Sequence, residues 1–546
     1  AGLVAGAGHG DARRDLAERY AQAYARRDWA ALHREITAAA QRRWPLRAFA
    51  ARHRRAVELA TATRIVAGEP SRRDGVWVVP LRVATRSFGT LRASLALPLS
   101  ERDGGPAVAW SPRLVFPGLR AGERLGRRMR LAERATLRAR DGTVLAEGDA
   151  RTSPDPVLAA SVVGQLGPVP ADRREAMLAA GVPAGARVGL TGLERAFDDR
   201  LRGVPGGVLL AGRRALAARP PQPGRAVRTT VMPVVERAAV QALGPRLGGV
   251  VAIRPRTGAI IAFAGIPFSG LQPPGSTFKV VTATAALDAG AVRPSDRFPV
   301  QTAATIEGVE LQNANGESCG GTFLEAFAES CNSVFAPLGA KVGAQRLVAT
   351  AQRFGFNRAP DIPGVARSTL PAAGEVGDDL AVGSTAIGQG RVQATTVEMA
   401  TIAATIALHG RRPRLTLDAE RARRPAPATR VTGARTARTV GRLMRAVVTG
   451  GTGTAAAIPG VRVAGKTGTA ELRTTQCTRD PADPAACTVQ PGDQTDTTAW
   501  FVAYAPAGRP RVAVGVMLVG AGAGGDSAAP AARSVMLAAL GKGLGG

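Results

Sequence analysis

The 546-residue chain carries 72 Lys and Arg, yet only four of them are Lys: Lys279, Lys341, Lys466 and Lys542. Arg stays protonated under working conditions, whereas a buried Lys can lose its proton and act as a base. Two of the four stand among hydroxyl residues. In Pro273-Pro-Gly-Ser-Thr-Phe-Lys279, Pro-Pro-Gly blocks a helix upstream, and Ser276 is expected to open one running toward Ala285. Lys279 then falls one turn along the same face, within reach of the Ser276 hydroxyl. Serine is a poor nucleophile until a base takes its proton, and a desolvated amine can do that. A helix start also presents free backbone N–H groups that suit an oxyanion. The plain alternative is Ser276 as an N-cap beside a surface Lys. Lys341 and Lys542 lack such company and read as surface residues.

Two further short motifs follow. Ser330-Cys-Asn332 ends the helical stretch that begins at Leu324, and pairs a hydroxyl with an amide. Gly465-Lys-Thr-Gly-Thr-Ala-Glu471 reads as a strand. There Lys466 offers a cation, Thr467 and Thr469 offer hydroxyls, and Gly468 lets a substrate backbone approach the strand edge. The string from Gly460 to Thr467 also matches a phosphate-cradle pattern. That reading is set aside, because Val461-Arg-Val-Ala464 is strand-forming and no helix follows the Lys.

The elements that must position these residues come in blocks. Leu16, Tyr20 and Tyr24 recur every fourth residue, and Trp29, Leu32 and Ile36 continue the face, which predicts helix. After Arg64 short β-rich runs such as Val76-Trp-Val-Val take over. Helix first and sheet afterwards is an α+β domain, assigned to 14–118. A second segment, 119–223, carries a turn and strand at Arg140–Ala146 and a helical Gly189–Ala196, and closes in the Pro-rich Arg219–Gly224. The remainder, 224–546, is long enough for a large core of its own. Strand pairs at its two ends with helices between predict an α/β domain with a largely antiparallel sheet. The chain as a whole is therefore expected to be multidomain α+β. Residues 1–13 open on an apolar stub without Met and are expected to be the remnant of a removed signal or membrane tether.

Composition narrows the function classes. At 45% hydrophobic and 21% charged the chain is globular. A net charge of +30 favours anionic partners, and wall polymer or lipid headgroups suit the Arg-rich N-terminal half. The arginines look scattered and no aromatic-interleaved basic stripe accompanies them, so no nucleic-acid partner is expected. No run reaches the ~18 apolar residues of a membrane span. Four cysteines fall in two close pairs, Cys319/Cys331 and Cys477/Cys487, which suits disulfides in an oxidising compartment, with three pairings open. No Cys-x-x-Cys or His cluster exists, so no metal site is expected.

Ser-x-x-Lys, Ser-x-Asn and Lys-Thr-Gly, in that order, form one constellation, and with it the sequence resembles the penicillin-binding transpeptidases. Gly388-Gln-Gly-Arg-Val-Gln-Ala-Thr-Thr-Val-Glu-Met-Ala400 is similar to the family's Gly-Gln-Gly segment, and Gly189–Glu194 to the pedestal motif of its class B members. Ala109–Leu119 resembles the end of the MecA-type N-terminal domain, which has a nuclear transport factor 2-like cone fold. The resemblance implies 14–118 as that domain, 119–223 as a dimerisation or pedestal domain and 224–546 as the transpeptidase domain. It implies Ser276 as the nucleophile on a D-alanyl-D-alanine stem peptide, Lys279 as proton acceptor, and Ser330 as proton relay to the leaving D-alanine. Lys466 orders that relay, Asn332 binds the peptide amide, and Thr467, Gly468 and Thr469 hold the terminal carboxylate. The backbone N–H groups of Ser276 and Thr469 make the oxyanion hole. No cofactor or metal is implied. The implied partners are peptidoglycan stem peptides, β-lactams as inhibitors, a separate glycosyltransferase, and the membrane through an N-terminal anchor, with the catalytic domain on the extracytoplasmic face. Cys331 departs from the usual middle residue of the second motif; pairing with Cys319 would tether that loop.

Rival functions are a D,D-carboxypeptidase, which differs in admitting water as acceptor, and a non-catalytic penicillin sensor or scaffold. A Ser-His-Asp hydrolase is disfavoured, since no Gly-x-Ser-x-Gly occurs and only His409 lies in the catalytic segment. A serine β-lactamase would have no use for some 220 N-terminal residues.

Overall fold

The computed structural model describes residues 8–102, 105–471 and 497–541. Contacts sort the chain into two compact units. The first contains residues 1–135, 166–188 and 197–226; the second contains 136–165, 189–196 and 227–546. The 119–223 segment is thus shared between them, its strands and helices packing with whichever core covers their apolar faces.

In the first unit, helices Gly8–Arg26, Trp29–Arg34, Ala38–Arg43 and Leu46–Leu59 precede an antiparallel sheet of Ala62–Ala67, Ser71–Arg73, Val76–Thr85 and Gly89–Leu97. Leu16, Tyr20, Tyr24, Trp29, Leu32 and Ile36 are all buried in one core with Val79, Leu81 and Val83. The fourfold spacing of the helical residues and the alternation of the strand residues bury one face each.

The second unit is built on α1 (Pro233–Leu243), β1 (Gly248–Arg254), β2 (Ala259–Gly265), α2 (Lys279–Asp288), α3 (Phe323–Ala328), α4 (Asn332–Val342), α5 (Thr396–Ala407) and α6 (Ala434–Gly450). Strands β3 (Ala464–Glu471), β4 (Thr497–Ala505) and β5 (Val512–Val519) and helix α7 (Ala529–Leu540) complete it. The five strands run in the order β2-β1-β5-β4-β3, and every neighbouring pair is antiparallel. Period-two alternation splits each strand between two cores. Along β4, Phe501 and Ala503 pack with α1 and α7, while Trp500, Val502 and Tyr504 pack with the helices of the opposite face. Helix α5 is buried almost throughout; a methyl group on Gly515 would lie 2.8 Å from the Thr396 carbonyl oxygen, so only Gly lets helix and sheet approach this closely.

Within the same unit the expected helix at Gly189–Ala196 begins only at Gly192. Gly189 ends a strand instead, and a Cβ there would sit 2.0 Å from the Glu194 carbonyl oxygen. Glu194 is fully buried and pairs with Arg151 at 2.6 Å. Burying one partner of such a pair without the other costs about 3–5 kcal/mol, so the pair holds this turn against the strands of the unit.

Among the described residues no helix is long and apolar enough to cross a membrane.

Candidate active site

Ser276 does not open an α-helix. It lies in the short 3₁₀ turn Gly275–Phe278, and α2 begins at Lys279. The turn is wedged against edge strand β3. Gly275 has φ +52°, and a Cβ on it would come 2.6 Å from the Thr469 carbonyl oxygen. A Cβ on Gly468 would come 2.8 Å from the Pro274 carbonyl oxygen and 3.1 Å from the Thr277 nitrogen. The absent side chain at 468 therefore makes room for the protein's own nucleophile turn, a role sequence reasoning had given to a substrate backbone. Gly388, at φ +77°, braces the turn from a third side: its carbonyl accepts from the Gly275 N–H at 3.0 Å.

Lys279 is fully buried, and its amine donates to the Ser330 carbonyl oxygen at 2.5 Å, to Asn332 Oδ1 at 2.7 Å and to Ser330 Oγ at 3.3 Å. No hydrogen bond from this amine to Ser276, which the spacing put within reach, is formed among the described residues. A buried amine takes the strongest acceptors in reach, and carbonyl oxygens outrank a hydroxyl. The second motif presents those acceptors. It does not end a helix; it follows α3 as a tight turn, with Ser330 in the left-handed region at φ +64° and Asn332 at the first position of α4. That conformation is costly for a residue with a Cβ. Here it turns the Ser330 carbonyl onto Lys279. A disulfide between Cys331 and Cys319, with Cα atoms 5.7 Å apart, ties the turn to the strand Cys319–Thr322. Cys477 and Cys487 lie outside the described residues.

Sequence reasoning missed the supports beneath this turn. Asn332 Nδ2 donates to the Gln312 carbonyl at 2.8 Å, and the Ser333 N–H donates to Asn313 Oδ1 at 2.8 Å. Asn313 in turn donates to the carbonyls of Gln301 and Glu317. Thr452 was missed as well: its hydroxyl lies 2.6 Å from Thr467 Oγ1 and 3.3 Å from the Ala328 carbonyl, joining β3 to the end of α3. No residue type or spacing marks Asn313 or Thr452, since their role exists only once distant segments meet.

Lys466 is also fully buried. Its amine donates to the Thr467 carbonyl at 3.2 Å and to Thr467 Oγ1 at 3.4 Å. Thr469 Oγ1 accepts from the Gly524 N–H at 3.4 Å. Burial lowers the Lys466 pKa to about 7, with Glu329 pulling the other way. Burial and then repulsion from Lys466 hold Lys279 well below the usual lysine range. Two buried amines, one of which lowers the other's charge stability, beside a half-buried serine, make an arrangement able to take a hydroxyl proton near neutral pH. Of the other two lysines, Lys341 is exposed and Lys542 lies outside the described residues.

Among the described residues, no group of His, Cys, Asp or Glu is placed to hold a metal ion.

Comparison with known proteins follows the same lines. Residues 248–537 match the family described as "Penicillin binding protein transpeptidase domain", and residues 132–229 match "Penicillin-binding Protein dimerisation domain". The chain is 36% identical over 419 residues to the peptidoglycan D,D-transpeptidase PbpA of Mycolicibacterium smegmatis, covering 65% of this chain and 80% of that protein. The solved structure of PBPA from Mycobacterium tuberculosis superposes with a TM-score of 0.56 at 30% identity, covering 75% of this chain and 99% of that one. Penicillin-binding protein A of M. tuberculosis in its ceftriaxone acyl-enzyme complex gives a TM-score of 0.58 at 28% identity, covering 75% of this chain and 98% of that one. With a transpeptidase match spanning more than half its length and a dimerisation match ahead of it, the chain belongs to the class B penicillin-binding protein transpeptidases.

Proposed function

We propose that the chain is a serine D,D-transpeptidase that cross-links peptidoglycan stem peptides through an acyl-enzyme on Ser276, and that β-lactams acylate the same serine. The observation that carries this reading is the Lys279 amine, fully buried, depressed in pKa, and held by Ser330 and Asn332 three residues along from Ser276. In its neutral form the amine has a lone pair to accept the Ser276 proton as Oγ bonds to the carbonyl carbon between the two D-alanines. The backbone N–H groups of Ser276 and Thr469 stabilise the oxyanion that forms. Collapse breaks the C–N bond, and Ser330 passes a proton to the departing D-alanine amine while Lys466 orders the relay. Asn332 holds the substrate amide: its amide group keeps one N–H and one lone pair beyond the bonds described above. Thr467 and Thr469, with Gly468 between them, hold the terminal carboxylate. The amine of a second stem peptide then attacks the ester, forms the cross-link and returns the proton to Ser276. Were water admitted in its place, the same site would be a D,D-carboxypeptidase.

The setting of the catalytic head belongs to the same proposal. Residues 14–118 form a MecA-type, nuclear transport factor 2-like domain, a reading supported by its order of helices and then sheet. Residues 119–223 form the pedestal and 224–546 the transpeptidase domain, outside the membrane. A separate glycosyltransferase would supply the glycan strands. The resemblance to class B members supports this setting.

Covalent labelling with a fluorescent penicillin, wild type beside Ser276→Ala, tests the reading. A labelled wild-type band that is lost in the variant, with a label lifetime of many minutes, is the expected result. Rapid release of the label would point to hydrolysis, and no label at high drug concentration would favour a scaffold.

A further inference from the structure

Helix α2 runs from the nucleophile turn to a second concave site about 15 Å away, given its ten residues. Past its C-terminal end, a cleft of about 750 Å³ is lined by Arg293, Arg435, Arg438, Arg442, Arg445 and Arg462. That volume falls in the range of small-molecule sites. No acidic residue is among those lining it. None of the six arginines forms an ion pair among the described residues. Arginines elsewhere in the same unit do so: Arg412 with Glu398 and Asp361, Arg353 with Asp288, Arg151 with Glu194.

The clustering comes from one helix. Arg435, Arg438, Arg442 and Arg445 fall at spacings of three, four and three along α6, which places them on one stripe; Val440, Leu443, Met444 and Val447 are buried on the other side. The 17 residues of α6 include no acid, so the stripe repels itself and adds to the positive end of the helix dipole. The arginines are therefore not scattered here, as composition alone suggested.

A second feature points inward. Tyr504 lines the cleft, is only 4% exposed, and its hydroxyl has no hydrogen-bond partner among the described residues. A Cβ on Gly441 would come 2.6 Å from that hydroxyl oxygen, so the bare helix surface at Gly441 leaves room for it. Burial pushes the Tyr504 hydroxyl up to about 12, which keeps it a donor at neutral pH. Guanidinium forks match phosphate oxygens in pairs, and a diphosphate concentrates several charges in a small volume. We propose that this cleft binds a compact group bearing two or more phosphates, gripped by the α6 arginines with Arg293 and Arg462, and met at its floor by the Tyr504 hydroxyl. The phosphates could be free in solution or carried on a lipid headgroup.

Titration calorimetry of the full chain with inorganic pyrophosphate, and flotation with vesicles containing cardiolipin, whose headgroup carries two phosphates, separate the two sources. The expected result on at least one arm is salt-sensitive binding that an Arg438→Ser/Arg442→Ser variant weakens by about tenfold or more. Tyr504→Phe should weaken it by a few-fold, and an Arg54→Ser/Arg55→Ser variant in the other unit should leave it unchanged. Fluorescent penicillin labelling of Ser276 checks that each variant is folded, and it keeps this test separate from that of the catalytic reading. Binding that survives the α6 double variant, that falls equally in the Arg54/Arg55 control, or that is absent on both arms would overturn the proposal.

Discussion

The two ends of α2 handle positive charge in opposite ways. At its first residue Lys279 is sealed from solvent, its charge disfavoured by burial and by Lys466. Beyond its last turn, the arginines of the cleft are exposed, apart from the half-buried Arg445, and carry fixed charge without an ion-pair partner among the described residues. Proton transfer needs a group that can exist in two states; recognition of a fixed anion needs one that cannot change. In a chain that uses Arg almost everywhere, two of the four Lys, Lys279 and Lys466, are fully buried near Ser276, where a group with a second state can act.

The largest expected effect comes from erasing that difference at the site. Lys279→Arg leaves a group that cannot give up its proton, and the acylation rate by penicillin should fall about 10²- to 10⁴-fold, read by stopped-flow labelling. Retention of most of the rate would show that the amine is not the base. A smaller effect concerns the coupling of the two lysines. A neighbouring cation lowers the pKa of Lys279, so Lys466→Met should raise it and move the acid limb of the acylation profile to higher pH. Because Lys466 itself loses its proton at about 7, slowing should be clear at about pH 6 and minor at about pH 9. A limb that stays in place would mean that the two amines do not sense each other. The smallest effect is at the far end. Arg442→Lys keeps the charge and loses the fork, so pyrophosphate binding should weaken by roughly two- to fivefold with penicillin labelling unchanged.

How much of this was legible in the sequence depends on whether a residue acts through its type or through its neighbours. Ser276, Lys279, Ser330, Asn332 and Lys466 stood out because rare types sat at short, chemically meaningful spacings. The strands of the transpeptidase sheet stood out through Val- and Ala-rich runs such as Val512–Val519. What could not be read depended on the meeting of distant segments. Ser-x-x-Lys spacing put Lys279 within reach of Ser276, but the carbonyl of Ser330, 51 residues on, takes the amine instead. Gly468 looked like space for a ligand until the nucleophile turn was found filling it. The α6 stripe was present in the sequence, yet its meaning needed Arg293, Arg462 and Tyr504 to converge on it from elsewhere.

The lysine distribution also makes the molecule easy to handle. Reagents that couple to primary amines reach only those in contact with water, and among the described lysines that is Lys341 alone, since Lys279 and Lys466 are fully buried. A dye or surface attached through an activated ester would therefore spare both amines of the catalytic centre. That permits attachment under conditions that would inactivate a protein with an open lysine in its site.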